Sequence, residues 1–165
     1  MPVIFRIASY VILSVIFLPA CSDSSDMPPG ADHESPTRQA EMASMAVNFQ
    51  QIDAWNNLDA HGESAVNNYP FVRIGNTFLS VFEDYDSYKV VVESVSLPAL
   101  RDTEWEHTAW DTLEVVQSSP TKVHLEGIYS RVNREGVAYE TTRTLRIVTS
   151  QEGRWGIKVR STYPR

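Results

Sequence analysis

Apolar and polar residues change places along this chain of 165 residues. Residues 1–20 are almost wholly apolar, 22–40 are polar and rich in Pro, Ser and Asp, and from Glu41 onward the pattern takes on the periods of regular structure. Met42, Met45, Phe49, Ile52 and Trp55 recur at three- and four-residue steps and predict one helix with a single apolar stripe. Ser44 is available to cap its first turn, and Asn56-Asn57 ends it, because asparagine favours turns over helix interiors. Asp59 then caps a short second helix through Val66.

Residues 69–74 read as a short strand, which Pro70 confines to a sheet edge or to the strand's first residues. Gly75-Asn76 predicts a two-residue hairpin turn into Thr77–Phe82. Between Asp84 and Leu97, Tyr88, Val91, Val92 and Val95 share a helical face, and Pro98 closes that segment. The last sixty residues are β-forming. Trp105–Ser118, Thr121–Asn133, Val137–Ser150 and Arg154–Tyr163 are long runs of Val, Ile, Thr and aromatics, separated by turn chemistry at Ser119-Pro120, Arg134-Glu135-Gly136 and Gln151-Glu152-Gly153. Long strands joined by short turns must be antiparallel neighbours. Val123, Leu125, Gly127, Tyr129 and Arg131 alternate onto one face, as do Trp155, Ile157 and Val159.

Helices, a short hairpin, a third helix and a long antiparallel meander, in that order, resemble the nuclear transport factor 2-like superfamily, and within it the SnoaL-like branch. The stretches that carry the likeness are 49–59 (Phe-Gln-Gln-Ile-Asp-Ala-Trp-Asn-Asn-Leu-Asp), Tyr69-Pro70-Phe71-Val72-Arg73, His107-Thr108-Ala109-Trp110-Asp111 and 153–158 (Gly-Arg-Trp-Gly-Ile-Lys). The resemblance implies an α+β fold in which a curved antiparallel sheet wraps around N-terminal helices to make a cone with an internal pocket. It also implies that a homodimer can form through the sheet. It does not supply a function, since the superfamily hosts isomerases, dehydratases, cyclases, epoxide hydrolases and non-catalytic domains.

The first forty residues change the picture of where the domain resides. Ile7–Leu18 has the length of a secretory h-region, follows Arg6, and ends in Pro19-Ala20, where a signal-peptide cleavage site belongs. At 12 residues it is short of the roughly 20 that a bilayer span needs. An uncleaved anchor, made by extending the run back past Arg6, is the minor alternative. The sole cysteine follows at once, and Leu18-Pro19-Ala20-Cys21 resembles a bacterial lipobox, with Pro at −2 a departure from the common pattern. An exported protein with one cysteine has no internal disulfide partner, so lipidation gives this thiol a use. The resemblance implies cleavage between Ala20 and Cys21 and anchoring through several acyl chains, stable where a single chain is marginal. Ser22, rather than Asp, implies sorting to the periplasmic side of the outer membrane in a Gram-negative cell. The organisation read from the chain is therefore a signal peptide at 1–20, a lipidated Cys and flexible tether at 21–40, and the folded domain at 41–165.

Charge and chemistry narrow the function classes. Removing residues 1–20 leaves 13 of the 14 basic residues against all 21 acidic ones, a net charge of −8, which repels nucleic acid and anionic lipid surfaces. No pair of His or carboxylates has metal-ligand spacing, no phosphate-cradling Gly loop or nucleophile elbow is present, and no cofactor or metal is expected. His107 with Asp111 is the best acid–base candidate, imidazole titrating near neutral pH. On a strand, however, the two lie about 13 Å apart. Arg131 shares a face with Tyr129, and its guanidinium either pairs with an acid such as Asp111, Asp53 or Glu126 or receives an anionic ligand; pairing is the blander reading. Trp55 and Trp110 read as core aromatics that also make good pocket walls. Arg154, Lys158, Arg160 and Arg165 read as facing solvent or neighbouring acids.

Together these features predict an envelope lipoprotein whose cone pocket binds a small apolar or amphipathic molecule, or whose sheet mediates dimerisation. The alternatives are an isomerase, dehydratase or hydrolase using His107 or Asp111 as base, and a pure interaction module.

Overall fold

The computed structural model describes residues 34–164; the signal peptide, its Ala20–Cys21 cleavage site, the Cys21 lipidation site and most of the tether read from the sequence lie outside the described residues. Helix α1 spans Pro36–Asn56 and begins inside the segment expected to be tether. Its start has a plain local cause: the Ser35 side chain accepts from the Arg38 backbone N–H and Pro36 occupies the first turn, where a missing N–H costs nothing. The buried face coincides only in part with the apolar stripe: Ile52 is buried and Met45 and Trp55 pack on the core. Met42 and Phe49 are exposed, while Ala40, Ser44, Val47, Asn48, Gln51 and Ile52 face the interior. Polar residues at positions 44, 48 and 51 are thus sealed from water, and a buried polar side chain needs partners.

Helix α2 (Ala60–Ala65) leads into β1 (Asn67–Ile74). The loop to β2 (Leu79–Phe82) has four residues, not two, because Ile74 pairs with Leu79 and the Gly75 N–H bonds the Phe78 carbonyl. A Cβ at position 75 would run into the Phe78 ring and push it from its place over the loop. Helix α3 (Tyr85–Val91) widens into a π turn at Val92–Ser96 and continues as α4 (Leu97–Arg101). Pro98 therefore does not close the segment: it sits in the first turn of α4, where its missing N–H is tolerated. β3 (Trp105–Ser119), β4 (Lys122–Asn133), β5 (Ala138–Gln151) and β6 (Arg154–Pro164) complete the chain.

The six strands form one sheet in the order β2-β1-β6-β5-β4-β3. It is mixed rather than wholly antiparallel, because β1 lies parallel to β6. β1 is accordingly an interior strand, and Pro70 is accommodated by a break in the β1–β6 ladder between Asn67 and Val72. α1 packs against β3, β4 and β6, and the concave side holds a core of Val47, Phe71, Tyr88, Val92, Val123, Leu125, Val148 and Ile157. Each such side chain contributes about 1.5–3 kcal/mol on burial. Bulges interrupt the long strands. β3 carries unpaired extra residues at Glu106, Asp111 and Val116, and β6 carries one at Lys158. An extra residue inverts the faces beyond it, so each bulge decides which side chains enter the cone.

Candidate functional site

The cone contains a cavity of about 430 Å³. One side is apolar: Ile52 and Trp55 from α1, Phe78 from the β1–β2 loop, and Val91, Val95, Ala99 and Leu100 from the α3–π–α4 segment. A π turn so placed fits the frequent use of such turns at functional sites. The other side is the sheet, and it carries Arg73, Arg131, Arg146 and Arg160 with Tyr129, Glu140, Thr142 and Thr162.

Three of these arginines form a row. Arg73 on β1 pairs with Arg160 on β6, which pairs with Arg146 on β5. Like charges directly opposite across strands are destabilising, so each guanidinium must be accounted for. Arg160, 7% exposed, donates to Glu63 Oε1 at 3.2 Å and to the Tyr88 hydroxyl at 3.0 Å. Burial opposes its charge, but Tyr88 and Glu63 together hold it above the ordinary arginine range. Glu63 is 1% exposed and also accepts from the Tyr88 hydroxyl at 2.8 Å and from Gln51 at 2.7 Å. Burial first, then the Glu63 carboxylate, raises the Tyr88 phenol well above its usual range, with Arg160 pulling the other way.

Arg146 is the largest fully buried side chain. Its Nη1 donates to Gln51 Oε1 at 2.8 Å and Asn48 Oδ1 at 3.0 Å, and its guanidinium lies 4.6 Å from the centre of the Trp110 ring. These explain Asn48 and Gln51 on the polar face of α1, though not Ser44, whose buried hydroxyl has no hydrogen-bond partner, and all of them are neutral partners. The Arg146 Nε has no hydrogen-bond partner, and no carboxylate pairs with it among the described residues. Burial, and then the Arg160 charge, lower it to about 9. Trp110 reaches it because Gly127 has no side chain: a Cβ there would lie 2.8 Å from the Trp110 ring and from the Thr112 carbonyl. Arg73 makes no ion pair among the described residues, and its guanidinium lies over the Phe78 ring, 5.9 Å from its centre. The Arg160 charge, then burial, lowers its pKa.

The residues singled out from the sequence separate into two groups. Trp55, Tyr129 and Arg131 line the cavity, and Trp110 lies behind Arg146, edge-on to Tyr129. Arg131 is paired, with Glu140 at 2.8 Å rather than with Asp111, Asp53 or Glu126. His107 and Asp111 are exposed, do not line the cavity, and are separated by strand register. His107 alternates outward from the cavity-lining Thr108, and Asp111 is the bulged residue that accepts from the Ser130 hydroxyl at 2.7 Å. Arg160, expected to face solvent or neighbouring acids, does meet an acid, Glu63, but not at the solvent face: it does so inside the cone. The bulge at Lys158 ends the alternation that would have placed Val159 there. Arg146, Arg73, Glu63 and Glu140 were not singled out from the sequence. Among the described residues, no cluster of three His, Cys, Asp or Glu can hold a metal.

Solved structures share this architecture. A Nostoc punctiforme protein of unknown function with a cystatin-like fold superposes at a TM-score of 0.63 with 14% identity, over 78% of this chain and 93% of its own. An NTF-2 like protein of unknown function from Shewanella oneidensis gives 0.59 and 16% over 75% and 98%. A ketosteroid isomerase-like protein from Erwinia carotovora atroseptica gives 0.56 and 19% over 74% and 94%. The fold is NTF2-like. At these identities the likeness extends to the fold alone, and the sheet's chemistry has to be read from its own residues. No family model and no curated protein matches the sequence.

Proposed function

We propose that the domain is a binding module whose cone takes a small amphipathic molecule, held at the cell envelope by lipid on Cys21. The observation that carries the binding reading is the two-sided cavity. Ile52, Trp55, Phe78, Val95 and Leu100 face the polar sheet wall across a space within the roughly 300–1,000 Å³ range of small-molecule sites. Apolar walls with a few fixed polar groups are what such ligands need for affinity and orientation. The acid–base alternative has less support. His107 and Asp111 lie away from the cavity, and the carboxylate that lines it, Glu140, is tied to Arg131.

The test is saturable binding of an amphipathic fluorophore such as 1-anilinonaphthalene-8-sulfonate to the purified protein, compared with Ala99→Trp. Ala99 lines the cavity from α4 and is exposed, so a Trp there can fill the mouth without displacing core. One-to-one binding that the variant abolishes supports the reading. Binding that is unsaturable, or unchanged in the variant, removes it.

A further inference from the structure

The arginine row is chemically unfinished. Four guanidiniums line the cavity, and the carboxylates that meet them are two: Glu140, held by Arg131, and Glu63, held by Arg160. Arg73 and Arg146 are left without a counter-charge among the described residues, in a domain whose chain as a whole carries −7. Arg146 is 1% exposed, and its Nε faces no acceptor. An uncompensated buried charge is costly, and such groups are retained where something repays the cost. Guanidinium is the side chain best matched to a planar or tetrahedral oxyanion, through paired N–H donors. Among the described residues, the groups that α1 presents to Arg146, Gln51 and Asn48, offer only amide carbonyls.

We infer that the cavity selects an anionic amphiphile, with its oxyanion head on the Arg73–Arg160–Arg146 row and its apolar tail against Phe78, Val91, Val95 and Leu100. This rests on the amphiphile-binding reading above and names the class of ligand within it. The head chemistry is shared by carboxylates and phosphate monoesters. Arg160 contributes least net attraction, being neutralised by Glu63, so the free charges at either end of the row set the preference for an anion.

The experiment titrates the purified full-length protein with octanoate, octyl phosphate and octanol, following tryptophan fluorescence and calorimetry. The same titrations are run on Arg73→Met and Arg146→Met. Arg73 makes no side-chain hydrogen bond or ion pair among the described residues, so its variant tests the charge without leaving a hydrogen-bond partner unsatisfied. At least one of the two anions should bind tenfold or more tighter than octanol. Arg73→Met should lower that anion's affinity about tenfold and leave octanol unchanged, and Arg146→Met should do the same where it folds. Whichever anion binds better identifies the head as carboxylate or phosphate. Octanol binding as tightly as both anions, or an anion affinity indifferent to Arg73→Met, overturns the inference while leaving the amphiphile reading in place. Failure of all three ligands to bind overturns both.

Discussion

Replacing Glu63 by Gln removes one charge, keeps the side-chain shape, and exposes how the arginine row is held. Glu63 is buried and takes bonds at both oxygens: Arg160 and Tyr88 meet Oε1, and Gln51 meets Oε2. An amide has one acceptor oxygen, so one of these sides must face an NH2 group. If the oxygen stays with Arg160, the new NH2 faces the Gln51 NH2. Gln51 must then flip and turn a donor toward Arg146, whose Nη1 is itself a donor. If the oxygen turns to Gln51, the NH2 faces the Arg160 guanidinium. In both cases the row also loses a neutralising charge. Removing one partner of a buried pair costs about 3–5 kcal/mol, a large part of the roughly 5–15 kcal/mol that holds a domain folded.

Urea unfolding of Glu63→Gln, followed by tryptophan fluorescence, reads this directly. With a slope of about 2 kcal/mol per molar urea, the midpoint falls by roughly 2 M. A double-mutant cycle with Arg160→Met separates the charge from the packing. The Glu63→Gln cost should shrink by more than about 1 kcal/mol when Arg160 is absent, because neighbours in one network do not add. A Glu63→Gln cost below about 1 kcal/mol, the worth of an exposed pair, would refute the claim that Glu63 neutralises the row. So would strict additivity in the cycle.

Tyr88 gives the alkaline behaviour its sign. Its folded-state pKa lies above its unfolded value near 10, so the stability it contributes is fully present below pH 10 and is lost as pH climbs past it. Urea midpoints measured from pH 9 to 11 should fall in the wild type and fall less steeply in Tyr88→Phe; equal slopes would remove Tyr88 as the cause. Cys21→Ser should abolish palmitate incorporation in labelled bacterial cells, and equal labelling of variant and wild type would end the lipid-anchor proposal. Leu145 and Tyr163 stand exposed on the outer side of neighbouring strands β5 and β6. Sedimentation should show a dimer that Leu145→Glu converts to monomer, and a concentrated wild-type protein that sediments as a monomer would leave that face without a partner.

What the sequence made legible, and what it hid, follows the bulges. β4 has no extra residue of its own, and the alternation of Val123, Leu125, Gly127, Tyr129 and Arg131 onto one face is what the sheet shows. Arg131 and Tyr129 were accordingly placed on the inner face, but Glu140 was missed as Arg131's partner because it is set by the β4–β5 register, a long-range fact. In β3, three unpaired residues reset the alternation, and the apparent His107–Asp111 constellation falls outside the cone. In β6, one unpaired residue at Lys158 moves Arg160 from the expected outer face into the row with Arg73 and Arg146. The polar stripe Ser44, Asn48 and Gln51 stands at helical spacing, but helical periodicity marks apolar faces, and the Ser35-Pro36 start signal lies ahead of any apolar period. These omissions share one cause. Patterning identifies the faces that bury oil, whereas this site is built from buried polar groups that only make sense together. Gln51 and Asn48 look misplaced until Arg146 is across from them, and Arg146 looks misplaced until something anionic is beside it.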